Sequence, residues 1–340
     1  MSELSTTPQK RLEYIDFIRG LAMLTIIFVH MNLYGVLPNW SRYFDSFQIF
    51  IFFFISGYLL KKGAVVENYP KWLEKQALRL LLPYFVFALV NNALNAVFYG
   101  ADTAALIVNF FCANLYLGSI WFLPSLFLCA IVGGYAVRIC KNDVLLLLIG
   151  VISLIGGVLV SDYIGSFLRI PQGLVGVFFY ITGYLARKYE KFLFERLKKK
   201  YVYLIGAGAV IGGVLIAFLN EKVHASRMEM GILPITLLGA LLTICGFFIV
   251  FRKFPIKKDP ITQCITYIGK NSLAVVCTHC IIIFFVYEAY AGTLNRVSLW
   301  SVENVMINLL VLLVQFCVLI LWNAIKAKCR NFKFGQPNTQ

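Results

Sequence analysis

Residues 11–30 read Arg11-Leu-Glu-Tyr-Ile-Asp16-Phe-Ile-Arg19-Gly20-Leu-Ala-Met23-Leu-Thr-Ile-Ile-Phe-Val-His30. The run has the length and apolar character of a lipid-crossing helix, yet it holds an acid, a guanidinium and an imidazole. Charged groups at membrane depth cost at least about 2.5 kcal/mol each, so they face a bundle interior or water and mark function. At about 100° per residue, Asp16, Arg19, Gly20, Met23 and His30 share one stripe. Arg19 and His30 are separated by roughly 16 Å along the axis at about 1.5 Å per residue. That geometry suits a site that holds something charged near one surface and does its chemistry deeper in.

The rest of the chain agrees with this reading. Hydrophobic residues make up 60% of it and charged residues only 14%, which excludes a soluble globular domain. The expected fold class is all-α: a polytopic membrane bundle of about ten transmembrane helices. They are placed at 15–36, 44–60, 78–99, 119–137, 143–161, 171–186, 201–219, 231–251, 264–288 and 301–325. A single domain is expected over 1–335, with tails at 1–14 and 326–340. The apolar stretch after the N-terminal tail is too long for a cleavable signal and lacks a small-residue cleavage site, so the first span is expected to stay.

The net charge of +15 need not imply a polyanionic partner. With the N-terminus inside, 25 of the 31 Lys and Arg residues fall on cytoplasmic segments. Five fall outside (Arg42, Arg169, Lys222, Arg227 and Arg296), and Arg19 lies within the first span. This is the positive-inside bias of membrane topology. It places both termini in the cytoplasm of a cell that carries the chain in its inner or plasma membrane, in contact with lipid and not with nucleic acid.

Other segments add candidates. Residues 39–45 read as a short outer loop whose Trp40 and Tyr43 suit an interface. Ser56-Gly57 would let a helix or ligand approach the backbone closely. Residues 61–79 form a basic connection on the same side as Asp16 and Arg19. Residues 101–117 read as a re-entrant or interfacial segment. Trp121 is either a belt residue or the wall of a site. Ser272 and His279 share a face to within about 20°. His224, in an outer loop, reads as exposed and inert. The nine cysteines are scattered and mostly sit in apolar spans, where they act as small hydrophobes. Cys277-Thr-His279-Cys280 looks superficially like a metal cluster, but no second ligand group accompanies it, so no metal is expected.

Taken together, these segments resemble the integral-membrane acyltransferase-3 family of O-acyltransferases. The match rests on Ile15-Asp16-Phe-Ile-Arg19-Gly20-Leu-Ala, with His30 after ten intervening residues. Further matches are Phe53-Phe54-Ile-Ser56-Gly57-Tyr58-Leu, Arg79-Leu-Leu-Leu-Pro83-Tyr84, Trp121-Phe122-Leu123, and Gly269-Lys-Asn271-Ser272 with His279. Gln76 stands where the family often has a further arginine, and Leu273 and Val276 replace aromatics.

The resemblance implies transfer of an acetyl or other acyl group from cytoplasmic acyl-CoA, most often acetyl-CoA. The acceptor would be a sugar hydroxyl in a surface polysaccharide or lipid-linked glycan. Arg79, Lys75 and Ser56 would then serve the donor. His30 would be the base, Asp16 would orient Arg19, and His279 would act as second base or orienting partner. Ser272 or Ser56 would meet the oxyanion. The competing class is a transporter or flippase of a lipid-linked sugar, which would use the same intramembrane charges as a pathway without moving an acyl group.

Overall fold

The structure, a computed structural model, describes residues 12–31, 38–100, 102–112, 119–195, 198–253, 259–291 and 301–334. Helices follow one another along the described chain, and an isolated bridge between His224 and Glu229 is its one extended pairing. They are α1 (Glu13–His30), α2 (Pro38–Phe47), α3 (Phe50–Tyr58), α4 (Lys62–Glu67), α5 (Tyr69–Tyr99), α6 (Thr103–Cys112) and α7 (Phe122–Ile139). After them come α8 (Asp143–Ile164), α9 (Ile170–Glu195), α10 (Lys199–Leu219), α11 (Leu233–Lys253), α12 (Pro260–Lys270), α13 (Ser272–Ala289) and α14 (Val302–Phe334).

Among the described residues, seven stretches are long and apolar enough to cross a membrane: 69–99, 119–139, 143–164, 200–219, 233–252, 272–289 and 302–328. The other three expected spans are helical where described, residues 32–36 of the first lying outside the described residues, but depart from a plain apolar rod. The first is α1, with Glu13, Asp16 and Arg19 in its 18 residues. The second is broken at residues 48–49 into α2 and α3, of 10 and 9 residues. The third is α9, whose apolar run is diluted by Gln172, Thr182, several glycines and tyrosines.

Residues 39–45, expected as a loop, lie in α2. Tyr43 is buried there and packs on Phe47, while Trp40 remains exposed. Aromatic packing against the bundle outweighs the interfacial preference that the same residues suggested. Residues 103–112 of the expected re-entrant segment form the short α6, and 113–118 lie outside the described residues.

Outward faces of α8, α10 and α14 carry Leu145, Ile152, Leu204, Ile211, Leu309 and Leu313, all exposed. Such faces suit lipid contact. Inside, Phe47, Phe50, Phe53, Phe54, Phe179 and Tyr180 are fully buried, with Phe50 stacked on Phe179 at a centroid distance of 4.5 Å. Two backbone crossings set the frame of the site. A Cβ on Gly269 of α12 would stand 1.7 Å from the Asp16 carbonyl oxygen of α1, and one on Gly57 of α3 would stand 1.8 Å from the Tyr180 carbonyl oxygen of α9. Only a residue without a side chain permits approaches this close. The second crossing is the close approach expected of Ser56-Gly57.

At one end of the bundle, the buried Glu190 accepts from Tyr58 Oη at 2.6 Å and pairs with Arg187 at 2.5 Å and Arg252 at 2.8 Å. Tyr14 Oη lies 2.6 Å from Tyr58 Oη. The cluster ties α1, α3, α9 and α11 together. A carboxylate met by two guanidiniums and a hydroxyl has the pairing that burial of a charge requires.

Candidate active site

Three cavities run in series through the bundle. The first touches the basic 61–79 connection and is lined by Lys61, Trp72, Gln76, Arg79, Arg19 and Ser56 among others. The second shares Arg19, Ser56 and Arg79 with it and adds Lys270 and Ser272. We refer to these two as the arginine cavity. The third is lined by His30, His279, His224, Ser226, Ser119, Trp121, Gln48 and Asp45. We call it the histidine cavity. Phe52, Phe122 and Val276 line both the second and the third, so they form the wall between them. Phe52 and Phe122 meet edge to face at 5.9 Å, which leaves an apolar constriction.

Helix geometry explains how two distant helices serve both chambers. On α1, Arg19 opens into the arginine cavity and His30 into the histidine cavity, about three turns apart. α13 repeats the arrangement with Ser272 in the former, His279 in the latter and Val276 in the dividing wall. The two imidazoles face each other with ring centroids 5.3 Å apart. His279 is 1% exposed, and its Nδ1 lies 2.7 Å from the Val275 carbonyl oxygen. A carbonyl can only accept, so Nδ1 carries the hydrogen and Nε2 presents a lone pair. That Nε2 is buried and has no hydrogen-bond partner among the described residues. An unsatisfied buried acceptor costs about 1–3 kcal/mol, which a hydrogen-bond donor entering the cavity would recover. His30 is exposed to the cavity it lines.

A loop roofs the histidine cavity. Arg169, 4% exposed, donates from Nη1 to the Ser226 carbonyl oxygen at 2.7 Å, and Gln172 Nε2 donates to the same oxygen at 2.9 Å. The Arg169 guanidinium also lies 5.5 Å from the Trp121 ring. These contacts hold residues 224–226 against the cavity they line. Leu168 and Arg169 both adopt left-handed backbone, at φ 48° and 58°, a costly pairing for non-glycine residues that clusters at functional sites. His224 Nδ1 sits 3.0 Å from Ser226 Oγ. Burial, with Arg227 and Lys222 nearby, holds the His224 imidazole below its ordinary range, so it is neutral at pH 7.

Residues 12–325 match the family described as "Acyltransferase domain", the third of the acyltransferase families. The chain belongs to the acyltransferase-3 family. A relative is the O-acetyl transferase of Shigella phage Sf6, 30% identical over a stretch covering 40% of this chain and 50% of that protein. The chain thus spans about half the length of the curated relative it matches. No solved structure matches it.

Of the residues expected to form the site, this acyltransferase-3 chain gathers Arg19, Arg79, Ser56 and Ser272 in one cavity and His30 and His279 in the next. Asp16 is buried and lines neither cavity; its carbonyl sits under Gly269. Lys75 also departs from expectation, being exposed and lining no described cavity. The inward face of α5 is Trp72, Gln76 and Arg79, roughly 60° around from Lys75. Lys61 and Lys270 supply cations in its place. Trp121 is 8% exposed and walls the histidine cavity, which decides against a belt position. His224, expected to be inert in an exposed loop, joins the other two histidines of the chain.

Proposed function

We propose that this chain is a membrane-embedded O-acyltransferase that moves an acetyl group from cytoplasmic acetyl-CoA to a sugar hydroxyl. The acceptor is a surface polysaccharide or lipid-linked glycan, and the site lies within a single domain in the inner or plasma membrane. One observation carries the reading: a cavity rich in cations adjoins a cavity holding paired imidazoles, and a thin wall of Phe52, Phe122 and Val276 separates them. Phosphates of the donor suit Arg79, Arg19, Lys61 and Lys270, because charge-assisted hydrogen bonds to phosphate are about twice as strong as neutral ones. The thioester end then points toward the wall, and the acceptor hydroxyl enters beneath the 224–226 loop.

In the transfer, a hydroxyl oxygen attacks the thioester carbonyl as His30 takes its proton. The tetrahedral oxyanion collapses with loss of the thiolate of CoA, which takes up a proton. Imidazole titrates near neutral pH and suits the proton transfer. His279 Nε2, fixed by the Nδ1 bond to Val275, accepts from a neighbouring hydroxyl of the acceptor sugar and so orients the attacking one toward His30. For the oxyanion, Ser56 already donates to the Phe52 carbonyl at 2.8 Å, so Ser272 is the better placed donor.

Membranes holding the chain, given acetyl-CoA labelled in its acetyl group, should pass label to glycan or glycolipid. A flippase reading would use the same row of cavities as a pathway and would leave the label on CoA. Arg79→Ala should raise the KM for acetyl-CoA about 10- to 100-fold, since a charged hydrogen bond contributes about 1.5–3 kcal/mol. The turnover at saturating donor should change far less. An unchanged KM would remove Arg79 from the donor site.

A further inference from the structure

The expected scheme leaves Cys280 without a task, yet the fold brings it to the imidazoles. One ring nitrogen from His30, one from His279 and Sγ of Cys280 all lie within 4.8 Å of one another. The second ligand group that the Cys277-Thr-His279-Cys280 segment lacks is supplied from α1. We propose that His30, His279 and Cys280 bind a thiophilic divalent cation of the zinc type, which shuts the enzyme off by occupying the lone pairs that acyl transfer requires. The inhibitory part rests on the role given to His30 above.

Several independent features point to this ligand. The buried Nε2 of His279 has a lone pair and no partner among the described residues. Its Nδ1–H is held by a backbone carbonyl, the outer-shell arrangement that orients metal-bound imidazoles. Two imidazoles and a thiol form a borderline-to-soft donor set, which selects zinc-like ions over magnesium or calcium, whose ligands are oxygens. Tetrahedral zinc, with bonds of about 2.0–2.3 Å, needs its ligand atoms roughly 3.3–3.8 Å apart. His279 and Cys280 are adjacent on α13 and His279 is locked. His30, at the end of α1 and exposed to the cavity, is the member free to turn inward and close the set. On binding, the Cys280 thiol gives its proton to solvent and becomes thiolate. The fourth position faces the cavity and takes water.

The consequence is a block on one side only. The arginine cavity contains none of the three ligands, so acetyl-CoA still binds while the acceptor side is closed. Zinc should lower turnover without altering the KM for the donor.

Cobalt serves as the probe, added to the full purified chain in nanodiscs after chelator treatment. One equivalent should bind, with visible bands of a four-coordinate ion and a near-ultraviolet thiolate-to-cobalt band, and zinc should displace it. Cys280→Ser should lose the thiolate band, keep its metal-free acetyl transfer and be at least tenfold less sensitive to zinc. His30→Gln should weaken cobalt binding as well, which is read by absorption and not by turnover. A thiolate band that persists in Cys280→Ser, or none in the unaltered chain, overturns the site. Cys280-dependent binding with zinc-insensitive turnover overturns the inhibitory role. A chain that binds cobalt through Cys280 but transfers no acetyl group under any condition refutes the acyltransferase reading and the inhibition with it, and leaves the metal site standing.

Discussion

His30→Ala lowers acetyl transfer at least a hundredfold, while the chain stays inserted and its affinity for acetyl-CoA is unchanged. The magnitude follows from the role: a positioned general base contributes about 10²- to 10⁴-fold, or roughly 3–5 kcal/mol of barrier. The selectivity follows from place. His30 lines the histidine cavity and touches neither chamber that holds the arginines. The loss should therefore fall on turnover and spare donor binding, the signature of an interaction made in the transition state. The fold should suffer little, because His30 is exposed to the cavity it lines. Normal acetylation by the variant would show that the proton goes elsewhere, with His279 as the next candidate.

The second large effect is expected far from any reacting atom. Gly269→Ala would set a methyl group 1.7 Å from the carbonyl oxygen of Asp16 and 2.7 Å from the amide nitrogen of Gly20. Both neighbours are backbone, so no side chain can rotate away. α1 and α12 must separate instead, and α1 carries both Arg19 and His30. Overpacking commonly costs about 1–3 kcal/mol, and a backbone clash lies at or beyond the upper end. The variant should show a clearly lowered melting temperature in detergent and lose most of its transfer activity. Gly208→Ala in α10 is the matched control, since nothing lies within 4 Å of its added Cβ. There alanine should be neutral or stabilising by about 0.5–1 kcal/mol, the ordinary helix preference. Equal melting temperatures for the two variants would disprove the tight crossing.

Much of this site could be read from the chain because helices impose a rigid phase. Arg19 and His30 on α1, and Ser272 and His279 on α13, are each positioned by periodicity alone. Their depths predict a charged end and a reactive end of one site, which the structure divides into two cavities with Phe52, Phe122 and Val276 between them. Lys75 shows the limit of that logic: membership of a basic run does not say which side chains turn inward, and the face of Trp72, Gln76 and Arg79 does. Likewise, an expected span over 44–60 passes over the interruption at 48–49, which lies where the polar Asp45, Ser46 and Gln48 give way to the apolar run beginning at Ile49.

His224 was hidden for a different reason. Its loop carries the charges Glu221, Lys222 and Arg227 and has the composition of a solvated turn. What folds it over the cavity is the pull of Arg169 and Gln172 on one carbonyl, a contact across 54 and 57 positions that no local pattern announces. Cys280 is similar. Beside His279 it looked like half of a ligand set, and the other half arrives from a helix some 250 positions earlier.

That the donor enters through the arginine cavity and brings its acyl end to the wall of Phe52, Phe122 and Val276 is tested most directly by photolabelling. An acyl-CoA with a diazirine in its short acyl chain is bound to the full chain in nanodiscs, illuminated, and the labelled peptides are sequenced. Label should fall on residues 52, 122 and 276 and their neighbours, and excess CoA should prevent it. Label on the lipid-facing surfaces of α8 or α10, or label that CoA does not displace, would contradict a donor path through the bundle.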